Sequence, residues 1–174
     1  MKNISAFLIL IFLCSCVATK KIKDTEDLGR DEGVLVVGLD TDWNGHNNPL
    51  LATLEILYLG ANDSALSHRK LQFKGNNHIL VTALPSQEYY FYRISFGNRY
   101  ADLKEGARFE IKPGKITYIG EISMNLDLKL FSASGDIEVT DKWDETLSYL
   151  KEEYPLILKG KDIERISIAL EMEN

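Results

Sequence analysis

From residue 33 onward the apolar residues come in short runs, each interrupted by Gly, Asn, Asp or Pro. That spacing predicts strands rather than long helices. Gly33 to Leu39 (GVLVVGL) is apolar at both parities, which predicts a central strand covered on both faces. Ala52 to Leu59 (ATLEILYL) is a second β-rich run. His78 to Leu84 (HILVTAL) alternates, with Ile79, Val81 and Ala83 on one face. Glu88 to Phe96 (EYYFYRISF) sets Tyr90, Tyr92, Ile94 and Phe96 on one face and Tyr89, Phe91, Arg93 and Ser95 on the other. Pro113-Gly114, between Arg108–Lys112 and Lys115–Leu126, supplies the fixed and the positive φ of a type II turn, and so predicts a hairpin. Its second strand turns Ile116, Tyr118, Ile122 and Met124 one way and Thr117, Glu121, Ser123 and Asn125 the other. Weaker runs at Leu126–Ser132 and Asp136–Thr140 meet at Ser134-Gly135, and Arg165 to Leu170 turns Ile166, Ile168 and Leu170 inward as a last strand.

One segment has a different period. Trp143, Leu147, Leu150 and Tyr154 form a single helical stripe, with Asp141 as N-cap, Asp144 and Glu145 in the first turn and Pro155 closing the pattern. The expected fold is therefore mainly β: an antiparallel β-sandwich over residues 33–174, with one C-terminal covering helix near 141–154. A domain of about 140 residues buries roughly two-thirds of its surface, so no cofactor, metal or disulfide is required to hold it.

The N-terminus has its own pattern. Met1 to Cys16 (MKNISAFLILIFLCSC) opens with a positive charge at Lys2 and continues as an unbroken apolar run, Ala6 to Leu13. Eight helical residues span roughly 12 Å, far short of a hydrocarbon core of about 30 Å, so residues 1–15 read as a signal peptide and not as a spanning anchor. Leu13-Cys14-Ser15-Cys16 resembles the lipobox of bacterial lipoproteins, with small Ser at −1 and Cys at +1. The resemblance implies that Cys16 carries a diacylglyceryl group and an N-acyl chain such as palmitate, which together hold the protein on a bilayer. Val17 after that cysteine implies the outer membrane under the sorting rule of enteric bacteria, with the domain facing the periplasm. Residues 16–32 mix charges without apolar periodicity and read as a lipidated cysteine with a flexible, solvated tether reaching about 20 Å.

Charge narrows the partners. With 20 basic and 26 acidic side chains the formal net charge is −6, so no excess of Lys or Arg is available for phosphates, and nucleic acid is excluded as a partner. No cysteine follows Cys16, which rules out an intramolecular disulfide framework in the mature chain.

Leu84-Pro85, Glu88-Tyr89-Tyr90, the run Phe109-Glu110-Ile111-Lys112-Pro113-Gly114-Lys115-Ile116-Thr117-Tyr118-Ile119-Gly120, and the helix ending Glu153-Tyr154-Pro155 together resemble a group of bacterial lipoproteins. These carry a transthyretin-like sandwich, related in shape to carboxypeptidase regulatory-like domains. Ser86-Gln87 stands where the group has small residues. The resemblance implies a non-enzymatic role, since the group carries no catalytic signature.

Candidate chemistry is sparse. Asp40-Thr41-Asp42-Trp43-Asn44-Gly45 matches the start of a calcium loop, which makes Asp40, Asp42 and Asn44 metal candidates. Position twelve, however, is Leu51 instead of a bidentate Glu, and a polar connecting loop accounts for the same residues. His46, His68 and His78 match no zinc spacing. No nucleophile elbow, phosphate loop or nucleotide fingerprint is present, and no enzyme activity is expected. Tyr89, Phe91 and Arg93 are the candidate binding residues. Facing solvent, they suit stacking on a sugar or anchoring a protein; covered by the helix or a loop, they are core. Two functions follow: a lipid-anchored protein that binds another envelope component or assists an envelope complex, or a glycan- or calcium-binding module.

Overall fold

The computed structural model describes residues 17–18, 21–25, 27–42, 53–64, 67–74, 78–96, 99–104, 107–128 and 133–173. The strands are β1 (Val17–Ala18), β2 (Glu32–Asp42), β3 (Thr53–Gly60), β4 (Arg69–Lys74), β5 (His78–Pro85), β6 (Gln87–Phe96), β7 (Arg99–Asp102), β8 (Arg108–Ile111), β9 (Ile116–Leu128), β10 (Ala133–Thr140) and β11 (Ile163–Arg165). Helices α1 (Trp143–Glu153) and α2 (Pro155–Leu158) lie between β10 and β11. One sheet runs β1-β4-β3-β6-β7, with β8 also on β6; the other runs β10-β9-β2-β5, with β11 also on β9. The fold is thus mainly β, a sandwich with a C-terminal helical cover. Most pairings are antiparallel, while β2 and β11 run parallel to β9 and β1 runs parallel to β4.

Hydrophobic burial explains the layering. Leu35, Val37 and Leu39 of β2 point between the sheets, where they meet Ile56, Tyr58, Leu71, Phe73 and Ile94. Val34 and Val36 point the other way, under Leu150, Tyr154 and Ile157 of the helical layer. This is why the stretch of β2 from Gly33 to Leu39 has no polar face. In α1 the buried positions are Leu150 and also Thr146. Asp141 sits one residue before the N-cap, Lys142, and its Oδ1 accepts from Trp143 N–H at 3.0 Å. Pro155 does not end the helical segment: at the first position of α2, where a missing N–H costs nothing, it restarts it. The last strand expected over Arg165–Leu170 lies earlier, at β11, where Ile163 to Arg165 pair with β9; Ile168 and Leu170 are buried in the non-strand segment that follows, and Ile166 is partly buried.

The Pro113-Gly114 turn forms, with φ +68° at Gly114 and Lys115 N–H donating to Lys112 O at 3.3 Å. It does not make a hairpin. β8 pairs with β6 in one sheet and β9 with β2 in the other, so the turn arches across the sandwich. The start of β2 takes the place of the missing partner. Gly114 N–H donates to Glu32 O at 2.8 Å, and Val34 N–H donates to Lys115 O at 2.9 Å. Gly33 makes this approach possible: a Cβ there would stand 2.3 Å from Lys112 O.

A bulge also changes the face of β9. Between Val36 and Gly38 of β2, β9 carries one residue too many, and Gly120 takes it up at φ +100°. Ile116 and Tyr118 therefore lie under the helices, whereas Ile122 and Met124 lie between the sheets. The single-face alternation expected along this strand is broken at that point.

The segment read as a flexible tether is docked where it is described. Val17 and Ala18 pair with Arg69 and Lys70. Ile22 is 4% exposed and its N–H donates to Val81 O at 2.9 Å. Asp24 Oδ1 accepts from Leu156 N–H at 2.9 Å and Ile157 N–H at 3.0 Å, and so caps α2. Lys21 Nζ donates to Tyr149 OH at 2.9 Å. Ile22 and Leu28, too far apart to show a period, are enough to seat the segment on the helical layer. Among the described residues no helix is long and apolar enough to cross a membrane.

Candidate functional site

The helices cover the outer face of the five-stranded sheet, and the aromatic strand β6 belongs to the other sheet. Its pattern is interrupted. Tyr58 of β3 pairs with Phe91 and Leu57 with Arg93, so Tyr92 is an extra residue bulged out of register. Before the bulge, Tyr89 and Phe91 point inward; after it, Ile94 does. The sequence expectation for Tyr89 and Phe91 as a binding surface is therefore corrected. Tyr89 is fully buried, stacked on Phe109 at 5.5 Å and edge-on to Tyr58 at 5.6 Å. Its hydroxyl donates to Pro85 O at 2.8 Å and accepts from Gln87 Nε2 at 3.1 Å, and burial raises its pKa above the usual phenol value. Phe91 lies 5.0 Å from Phe109 and is just as inaccessible.

What faces outward on β6 is Glu88, Tyr90, Tyr92, Arg93 and Ser95. Arg93 meets Asp102 of β7 through two parallel bonds, Nε to Oδ1 at 2.5 Å and Nη2 to Oδ2 at 3.1 Å. The same guanidinium lies 4.1 Å from the centre of the Tyr100 ring. Tyr100 pairs across the sheet with Ser95 and is 55% exposed, the largest value of any described aromatic side chain. Tyr90 carries Arg108 of β8 at 5.9 Å, and Arg108 also reaches Glu88 at 3.4 Å. Tyr92 OH is 2.8 Å from His68 Nδ1. Toward β3 and β4 the face is polar and internally matched. Glu55 accepts from Lys70 and Gln72, both at 2.7 Å. Burial alone raises the Glu55 pKa, but these two bonds and the Lys70 charge outweigh it and hold the group below its usual range.

This half-open face presents flat aromatic area beside a guanidinium that is already fixed in orientation. Little side-chain freedom is left to lose on binding, which suits anchoring of a protein or stacking on a planar or sugar ring. Of the residues singled out in the sequence, Arg93 lies here. Tyr90, Tyr100 and Asp102 were missed. Their signal was the two-residue Gly97-Asn98 connection after an aromatic strand, a hairpin signature that places Arg99–Asp102 beside β6.

Elsewhere, the bulge at Gly120 opens a cavity of about 300 Å³ lined by Tyr118, Thr140, Asp141, Arg165 and Ser167. Arg165 is paired with Asp141 there, and its guanidinium lies 5.5 Å from the Trp143 ring. Of the calcium-loop candidates, Asp40 is exposed near the end of β2, Asp42 ends that strand, and Asn44 lies outside the described residues. Among the described residues no group of His, Cys, Asp or Glu is placed to hold a metal ion. His46 and Cys16 also lie outside them. A scan against protein-family models, a search of the curated proteins and a search of the solved structures each return no match to this chain.

Proposed function

We propose that this chain is a lipid-anchored protein of the bacterial outer membrane whose sandwich, without catalysis, binds another envelope component through the outer face of β6, β7 and β8. The observation that carries the reading is Tyr100, exposed and backed by an Arg93 that Asp102 holds in place. The lipobox ending in Cys16 supplies the anchor, and the resemblance to transthyretin-like lipoproteins supports the non-enzymatic role.

The test is affinity isolation from detergent-solubilised envelopes, beside Cys16→Ala and Tyr100→Ala. Tyr100→Ala is expected to melt like the parent and to lose its partner, since a central aromatic anchor contributes about 2 kcal/mol or more, roughly a thirtyfold loss of affinity. Cys16→Ala is expected to leave the membrane fraction. Retention of the same partner by Tyr100→Ala overturns the assignment of the face. A glycan-binding module is the second reading, favoured by the cavity beneath Gly120, where the buried Thr140 Oγ1 has no hydrogen-bond partner. A thermal shift with envelope oligosaccharides that Thr140→Val abolishes selects it.

A further inference from the structure

We infer that the domain is held directly against the bilayer that carries its acyl chains, with the β1–β4 edge toward the lipid headgroups and the β7–β8 edge away from them. This rests on the reading of Cys16 as the lipidated residue. One peptide bond separates Cys16 from Val17, which is already paired to Arg69 of β4. No stalk remains between anchor and fold. Further along, Ile22 is buried and Asp24 is bonded to the backbone of α2, so the segment is fixed at several points along its length. Because β1 and β4 run parallel, the chain before Val17 leaves at the end of β4 where Ser67 is exposed. From β1 to β8 the sheet crosses β4, β3 and β6, four spacings of about 4.8 Å, or roughly 19 Å. On that placement β8 stands roughly 19 Å further from the headgroups than β1.

The experiment uses the full lipidated chain in phosphatidylethanolamine–phosphatidylglycerol vesicles that carry nickel on chelating headgroups. With Cys16 acylated and Cys14 removed with the signal peptide, Ser67→Cys or Glu110→Cys provides a single thiol for a nitroxide. Relaxation by nickel is expected to be several-fold greater at position 67 than at 110. Inserting about twenty Gly and Ser residues between Cys16 and Val17, roughly 25 Å of mean reach, is expected to equalise the two. Equal relaxation in the uninterrupted chain while it sediments with vesicles overturns the orientation alone. A chain that stays in the supernatant, as Cys16→Ala should, removes the anchor and the orientation together.

Discussion

Glu121 shows how much one side chain can depend on its surroundings. It follows the bulge of β9, half-buried beside Asp40, and faces Lys142 and Glu145 near the start of α1. Burial first, and the Asp40 charge second, raise its pKa above the ordinary 4.5, with Lys142 opposing them. A carboxyl raised in the folded state is most compatible with folding when it is protonated. Its contribution is thus fully present below 4.5 and is lost as pH rises through the folded-state value. Glu121→Gln is expected to raise the melting temperature at neutral pH and to leave it unchanged at pH values below the ordinary carboxylate range. A calorimetric scan across pH that finds the same difference at every pH contradicts the account.

At the scale of elements, two bulges and one cap decide which surfaces exist. A strand has a side-chain period of two, so a single extra residue exchanges its faces. The extra residue at Tyr92 turns the later half of β6 over, and the one at Gly120 does the same to β9. The doubly buried β2, the strands β3, β5, β6, β8, β9 and β10 and the start of α1 were legible in the sequence, because each is written in local apolar spacing and local caps, whereas β1, β4 and β7, short or rich in charge, were not. The bulges were not, because an extra residue is defined only against a partner strand distant in sequence. The arch at Pro113-Gly114 escaped for the same reason: the turn is local, but the choice between β6 and β9 as neighbours belongs to Glu32, Gly33 and Val34. The candidate site was legible only in Arg93, since the parity that exposes Tyr90 and buries Tyr89 depends on Tyr92. The cap on α2 tests this non-local view. Asp24→Ala removes the acceptor shared by Leu156 and Ile157 and is expected to cost about 1 kcal/mol. Those two amides should then exchange hydrogen faster than in the parent; unchanged protection would show that Asp24 does not hold the helix.

For the whole molecule, the N-terminal segment is part of the structure and not a connector to it. A free tether would tolerate Ile22→Ala without effect. With Ile22 seated against Val81, Tyr154 and Ile157, the substitution is expected to cost about 2–4 kcal/mol, read as a lower urea midpoint. The charges of Lys20 to Asp27 concealed this in the sequence, because one buried isoleucine among many polar residues has no period to detect. The parallel pairing of β2 with β9 acts over a longer span. Val34 waits for Ile116, about eighty residues further on, so closing that contact carries a large loop entropy and makes folding slow. Asp24 waits longer still, 132 residues, for Leu156. A chain delivered from its N-terminus cannot complete its central sheet until β9 has emerged, so a chain cut short of Ile116 lacks the one strand that joins β2 to both β10 and β11.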